Sequence, residues 1–231
     1  MAHLAHYREA HPLPFVITHW INLVSMIILI VTGFSIHFPF WPGFMGVARG
    51  CHIFFGFVLF INCVVRVLMA FFVKSSPTGG TREQVTDFKT WLPQADNRHQ
   101  ALEWVKYYLF LKKDHPLGAK LGVPQKISYL LIPILVVVMF WTGLCLWSTT
   151  ANLAPFAATT TLVGGAMSMR IIHYFLMYVF ICFMLIHIYL ANVEGTAPSA
   201  LMFFHREHGG LTYDPHKHNI SGEDDLGHVG R

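Results

Sequence analysis

The chain has 231 residues, 54% of them hydrophobic and 12% charged, about half the charged share of an average soluble domain. Its formal charge of +4 is concentrated, with nine of the 16 Lys and Arg between residues 74 and 126, which marks a compartment and not a nucleic-acid-binding stripe. This composition excludes a disordered chain and a fully wetted globule, and defines an integral membrane protein whose main surroundings are a lipid bilayer, with no nucleic-acid partner.

Four stretches supply the roughly 20 apolar residues that a helix needs to cross a hydrocarbon core about 30 Å thick: residues 15–36, 51–73, 127–147 and 171–190. The first does not read as a cleaved signal peptide, because it lacks a basic start and a small-residue cleavage site and carries His19, Trp20 and Asn22 near its beginning. Pro133 is expected to kink the third. Residues 37–48 and 148–169 contain no Lys or Arg, whereas the 74–126 loop holds nine, so this loop and both termini are expected on the cytoplasmic side. Cys51, Cys63, Cys145 and Cys182 all fall within apolar stretches and have no zinc or disulfide spacing, so they read as packing residues.

The middle loop has its own organisation. Pro77-Thr78-Gly79-Gly80 reads as a turn. Leu102, Val105, Tyr108, Leu109 and Leu111 alternate with Glu103, Lys106, Lys112 and Lys113, a pattern for a helix lying on the bilayer or against a cytoplasmic partner. The expected organisation is an all-α integral membrane four-helix bundle over residues 1–195. A polar cytoplasmic tail follows over 196–231, solvated, partly disordered and rich in histidine (His205, His208, His216, His218, His228).

Four histidines lie within the spans: His19, His52, His173 and His187. Polar groups at membrane depth are costly and point to function, although one membrane histidine is as readily an interhelical hydrogen-bonding residue. His173 and His187 are 14 residues apart, close to four whole turns, which puts them on one face with a rise of about 21 Å between them. In the expected orientation His52 and His173 lie toward the outer side, and His19 and His187 toward the cytoplasm. Depth therefore pairs His52 with His173 and His19 with His187. Two neutral imidazoles from facing helices suit a six-coordinate b-type haem, which passes electrons because no axial position is open. A single zinc cannot be held by ligands so far apart. A proton relay is the competing use, but the spans contain no carboxylate to accompany it.

Arg49 precedes His52 by three residues and Arg170 precedes His173 by three, so each arginine sits one turn outward on the same side of its helix. Haem brings two propionates, and charge-assisted hydrogen bonds from Arg49 and Arg170 would hold them; snorkelling to the interface is the plainer use. Arg66, 14 residues after His52, is placed to serve the inner haem or to anchor its helix end. Gly33 lies 14 residues after His19, and Gly56 one turn beyond His52, where a flat macrocycle could approach the backbone.

Taken together, Thr18-His19-Trp20, Val31-Thr32-Gly33, Met45-Gly46, Arg49-x-x-His52, Arg66, the run from Lys106 through Lys112, Thr142-Gly143, Arg170-x-x-His173 with Met177, and His187-Ile188-Tyr189 form a set. Over about residues 11–195 this set resembles the b-type cytochrome subunit of membrane-bound nickel–iron hydrogenases, related to the gamma subunit of respiratory formate dehydrogenase. The resemblance implies a four-helix anchor binding two haem b groups, the outer by His52 and His173 and the inner by His19 and His187. It also implies electron transfer from an iron–sulfur subunit on the outer face to a quinone, menaquinone or ubiquinone, near the cytoplasmic face. In the formate dehydrogenase relative the quinone site lies on the loop before the third helix. Here Gln125 and Lys126 fit that pattern, while Gly122 and Val123 depart from it. Residues 199–207 depart from the family's ending.

The expected function is thus a di-haem membrane anchor in a bacterial inner membrane, coupling a peripheral dehydrogenase to quinone. The partners implied are the iron–sulfur and catalytic subunits of a hydrogenase-like complex. No residue in this chain could itself split hydrogen or oxidise formate, so the catalytic metal centre would belong to the partner. The alternatives are the membrane subunit of another respiratory oxidoreductase such as formate dehydrogenase, a stand-alone di-haem cytochrome such as a superoxide oxidase, and a haem-free transporter or metal-binding protein.

Overall fold

Apolar side chains on the transmembrane helices face outward and small polar ones face inward, the reverse of a soluble helix. On α1 (Leu13–His37), Thr18, Ser25 and Thr32 recur every seven residues and are buried, whereas Ile17, Val24, Ile27 and Val31 are exposed. Lipid is as apolar as leucine, so burying aliphatic groups gives helices no reason to associate; small residues allow close packing and polar ones supply hydrogen bonds. The computed structural model describes residues 5–77, 81–92, 101–112, 123–192, 196–210, 212–214 and 219–221, with backbone alone at 101, 108, 123–125, 212–214 and 219–221. Four helices are long and apolar enough to cross a membrane: α1, α2 (Met45–Phe72), the Lys126–Leu146 part of α5 (Val123–Leu146) and α7 (Ala166–Asn192).

These helices overrun the apolar windows because local backbone chemistry sets their ends. Pro14 lies in the first turn of α1, where a missing N–H costs nothing. Phe38 precedes Pro39 and is thereby steered away from helical geometry, so α1 stops at His37. Trp41-Pro42-Gly43-Phe44 then makes a turn closed by Phe44 N–H to Trp41 O at 3.3 Å, with Gly43 at φ +78°. Pro133 sits within α5, and the helix runs through it. Residues 148–169, expected as a loop, contain the short helix α6 (Ala154–Leu162). Helix α6 ends where Gly165 N–H bonds Thr160 O at 2.8 Å and Gly164 N–H bonds Thr161 O at 3.1 Å, with Gly164 left-handed at φ +94°.

The chain divides into two compact units. One comprises residues 18–65 and 132–190. Within it α1 meets α2 where Asn62 Nδ2 donates to Thr18 O and Asn22 Oδ1, both at 2.7 Å. Helix α2 meets α5 through Phe60 stacked on Phe140 at 4.1 Å, and α7 returns to α1 where His37 stacks on Tyr174 at 4.0 Å. Contact of α5 with α7 through Thr142 and His173 closes the circuit, giving the order α1–α2–α5–α7. Trp141 of α5 packs on Phe156 and donates to Thr159, holding α6.

The other unit comprises residues 1–17, 66–131 and 191–231. Its centre is the carboxylate of Asp87, on α3 (Asp87–Trp91), fully buried and accepting from Arg66 Nη2 at 2.8 Å, Ser75 Oγ at 2.6 Å and Trp91 Nε1 at 3.0 Å. Strands β1 (Lys74–Ser75) and β2 (Val85–Thr86) pair antiparallel, so the chain reverses near the predicted turn, whose residues 78–80 lie outside those described. Helix α4 (Ala101–Tyr108) buries Trp104 and exposes Leu102 and Val105. The described part of the tail is ordered near its start. Residues 197–204 form α8 (Ala197–Phe204), His208 makes a reciprocal backbone bridge with His6, and Glu207 accepts from the Arg8 amide and the Arg82 guanidinium. Of the tail histidines, His216, His218 and His228 lie outside the described residues. The C-terminal strands β3 (Thr212–Asp214) and β4 (Asn219–Ser221) form an antiparallel pair.

Candidate functional site

The structure brings the four span histidines together as two pairs within the helical unit. His52 on α2 faces His173 on α7 with ring centroids 6.2 Å apart, and His19 on α1 faces His187 on α7 at 6.1 Å. A metal–imidazole bond of about 2 Å, with the ring centre about 1.1 Å beyond the nitrogen, puts two opposite axial imidazoles about 6.2 Å apart, centre to centre. Both pairs therefore stand at the separation of bis-histidine ligation to one iron. Among the described residues no group of three or more His, Cys, Asp or Glu converges, so the donor sets are pairs of imidazoles.

The two pairs are held by different means. The Thr32 hydroxyl on α1 lies 2.9 Å from His52 Nδ1, and the Thr142 hydroxyl on α5 lies 2.8 Å from His173 Nδ1. The glycine after each threonine clears space for the same ring. A Cβ on Gly33 would stand 3.3 Å from His52 Cε1, and one on Gly143 would stand 3.4 Å from His173 Cε1. His19 and His187 are packed by rings instead, Trp20 edge-on at 5.5 Å and Phe183 stacked at 5.7 Å. Among the described residues His19 Nδ1 is buried with no hydrogen-bond partner.

Other residues singled out from sequence fall in varied places. Arg49 and Arg170 are exposed, and among the described residues neither forms an ion pair. A Cβ on Gly56 would meet nothing within 4 Å. Arg66 is engaged by Asp87, and its guanidinium lies 3.8 Å over the Phe15 ring. Lys126 is buried and donates from Nζ to Leu92 O at 2.8 Å, while the Gln125 side chain and Gly122 lie outside the described residues. Thr32, Thr142 and Asn62 gave no separate signal by spacing. Thr32 and Thr142 entered only as members of the motif set, with no role attached, because a hydroxyl in an apolar span also satisfies its own helix.

A set of apolar helices offering imidazole pairs at axial spacing has the build of a membrane-embedded b-type cytochrome. The family model described as prokaryotic cytochrome b561 matches residues 10–203, taking in all four histidines, and the chain belongs to that family. It is accordingly a multi-pass membrane protein of helical-bundle fold that binds haem b and transfers electrons. No curated protein matches the chain.

Proposed function

We propose that this cytochrome binds two haem b groups and carries electrons across the membrane between a peripheral iron–sulfur subunit, that of a nickel–iron hydrogenase, and quinone. The observation that carries the reading is the pair of imidazole separations, 6.2 Å and 6.1 Å, each matched to axial ligation. Haem supplies one-electron chemistry when bound; the protein contributes position and electrostatics. His52 and His173 hold the outer group, and His19 and His187 the inner one. Arg49 and Arg170, both exposed and without a carboxylate among the described residues, neutralise the outer propionates. Arg66 already has Asp87 as partner, which favours its helix-anchoring role over a propionate contact.

Quinone meets the chain near the start of α5, beside Gln125 and Lys126, with both termini and the 74–126 segment in the cytoplasm. Electron flow from outside to a quinone that takes its protons from the cytoplasm would charge the membrane. The choice of hydrogenase over other dehydrogenases rests on the motif set alone, and co-purification of the partner decides it.

The test is a dithionite-reduced minus oxidised spectrum of the purified protein, with haem counted per chain. Two b-type haems are expected in the wild type, with His52→Ala and His187→Ala each removing mainly one. One haem per chain, or both lost equally from both variants, would refute the two-site assignment.

A further inference from the structure

The outer imidazoles have a hydroxyl support that His19 Nδ1 does not show among the described residues, and its chemistry is directional. The Thr32 hydroxyl also lies 2.7 Å from Ile28 O, and the Thr142 hydroxyl 2.9 Å from Met139 O. A hydroxyl has one proton, and a carbonyl oxygen can only accept. Each threonine therefore spends its proton on its own helix and turns a lone pair toward the histidine, so Nδ1 of each outer ring must be the donor. A neutral imidazole that carries its proton on Nδ1 has its free lone pair on Nε2.

The arrangement occurs twice. In each hairpin, α1–α2 and α5–α7, the first helix supplies a Thr-Gly pair and the second supplies the histidine. Threonine fixes the ring by hydrogen bond, and glycine lets the ring approach the backbone. For the inner pair, His19 Nδ1 has no hydrogen-bond partner among the described residues, and its ring is held by Trp20.

On the reading that each pair binds one haem, we propose that Thr32 and Thr142 are positioning residues that fix the Nδ1–H tautomer of His52 and His173 and lower the reduction potential of the outer haem alone. An acceptor on the far nitrogen makes an imidazole a stronger electron donor, which stabilises ferric over ferrous iron. The hydroxyls therefore favour prompt release of an electron by the outer haem, with no corresponding effect on the inner one.

The experiment is a potentiometric titration of the full-length, detergent-purified cytochrome. It compares wild type with Thr32→Val, Thr142→Val and the matching serine variants, and records the low-spin ferric EPR spectrum of each. His52→Ala identifies which redox component is the outer one. In each valine variant the outer component should shift upward, so that its ferrous-to-ferric ratio at a fixed ambient potential rises about three- to tenfold, tenfold being about 59 mV for a one-electron couple. Its largest g value should move with it, while the inner component stays in place. Serine keeps the acceptor and should restore both readouts. If a valine variant loses the outer haem, the serine variant decides: retention at the wild-type potential supports the hydrogen bond, and loss from serine as well overturns it in favour of methyl packing. An unmoved potential and EPR signal in valine variants that still hold both haems would overturn this inference alone. A wild type without two haems would overturn the di-haem reading itself.

Discussion

At Asp87 three donors converge on one carboxylate, with no solvent exposure left to it, and this cluster decides what Arg66 does. Removing one partner of a buried ion pair leaves an uncompensated charge and typically costs about 3–5 kcal/mol. Asp87→Ala should accordingly lower the thermal unfolding midpoint in detergent clearly, whereas a substitution at exposed Lys89 on the same helix should scarcely move it. Arg66 was legible in sequence only as a cation at inner depth. Its partner is 21 residues away, beyond a β-hairpin, and no periodicity joins the two positions. The four histidines were far easier to find, because each is a polar residue at membrane depth and helical geometry alone predicts which can meet. Thr32 and Thr142 stood in the motif set, but their role was hidden by the ambiguity of a hydroxyl in an apolar helix, which satisfies itself on the preceding turn whether or not it does anything else.

Among the elements, the four spans were plain from hydropathy, but their ends were not. Hydropathy measures where lipid begins, whereas caps, prolines and turns settle where a helix ends, so α7 starts at Ala166, five residues before its apolar window. The stop of α6 illustrates this. Gly164 holds φ +94°, and a Cβ there would also stand 3.2 Å from Ser168 Oγ. Gly164→Ala should therefore destabilise the α6–α7 corner by about 1–2 kcal/mol, from the left-handed backbone and the tight contact together. Gly165→Ala, at φ +101° with nothing within 4 Å, isolates the backbone contribution, and thermal melts of the two variants separate the causes. Helix α6 itself was not expected; its nine residues carry no charge and no amphipathic stripe, and Pro155 in its first turn is as much a loop signal as a helix start.

At the scale of the whole chain, residues distant in sequence are tied through Arg82, which bridges Glu9 at 3.2 Å and Glu207 at 3.3 Å. Burial pushes the Glu207 carboxyl up, but the Arg8 amide and the Arg82 guanidinium outweigh it and hold it below its usual 4.5. A carboxyl lowered by folding stabilises above its unfolded value, and that contribution disappears as pH falls through the lower, folded one. The tail should thus stay docked at neutral pH and loosen in acid below about 4.5, as seen by limited proteolysis with an acid-active protease. Glu207→Gln should show some loosening already at pH 7, and high salt should reduce the difference, since the bridge is partly exposed. The sequence offered a polar, histidine-rich stretch and therefore an expectation of solvation. What holds residues 205–208 is a backbone bridge to His6 and two arginines, and main-chain pairing leaves no compositional trace.

The Thr-Gly pair that orients His52, and the one that orients His173, each lies in the same hairpin as its histidine. A chain emerging from a ribosome inserts α1 and α2 before α5 and α7 exist, and by then Thr32 and Asn62 already have their partners within reach. Each half can therefore enter the bilayer with its own histidine, His52 or His173, already oriented by its threonine. The His19–His187 pair is completed only when α7 arrives to meet α1, so on the proposed di-haem reading cofactor capture would join two prepared halves.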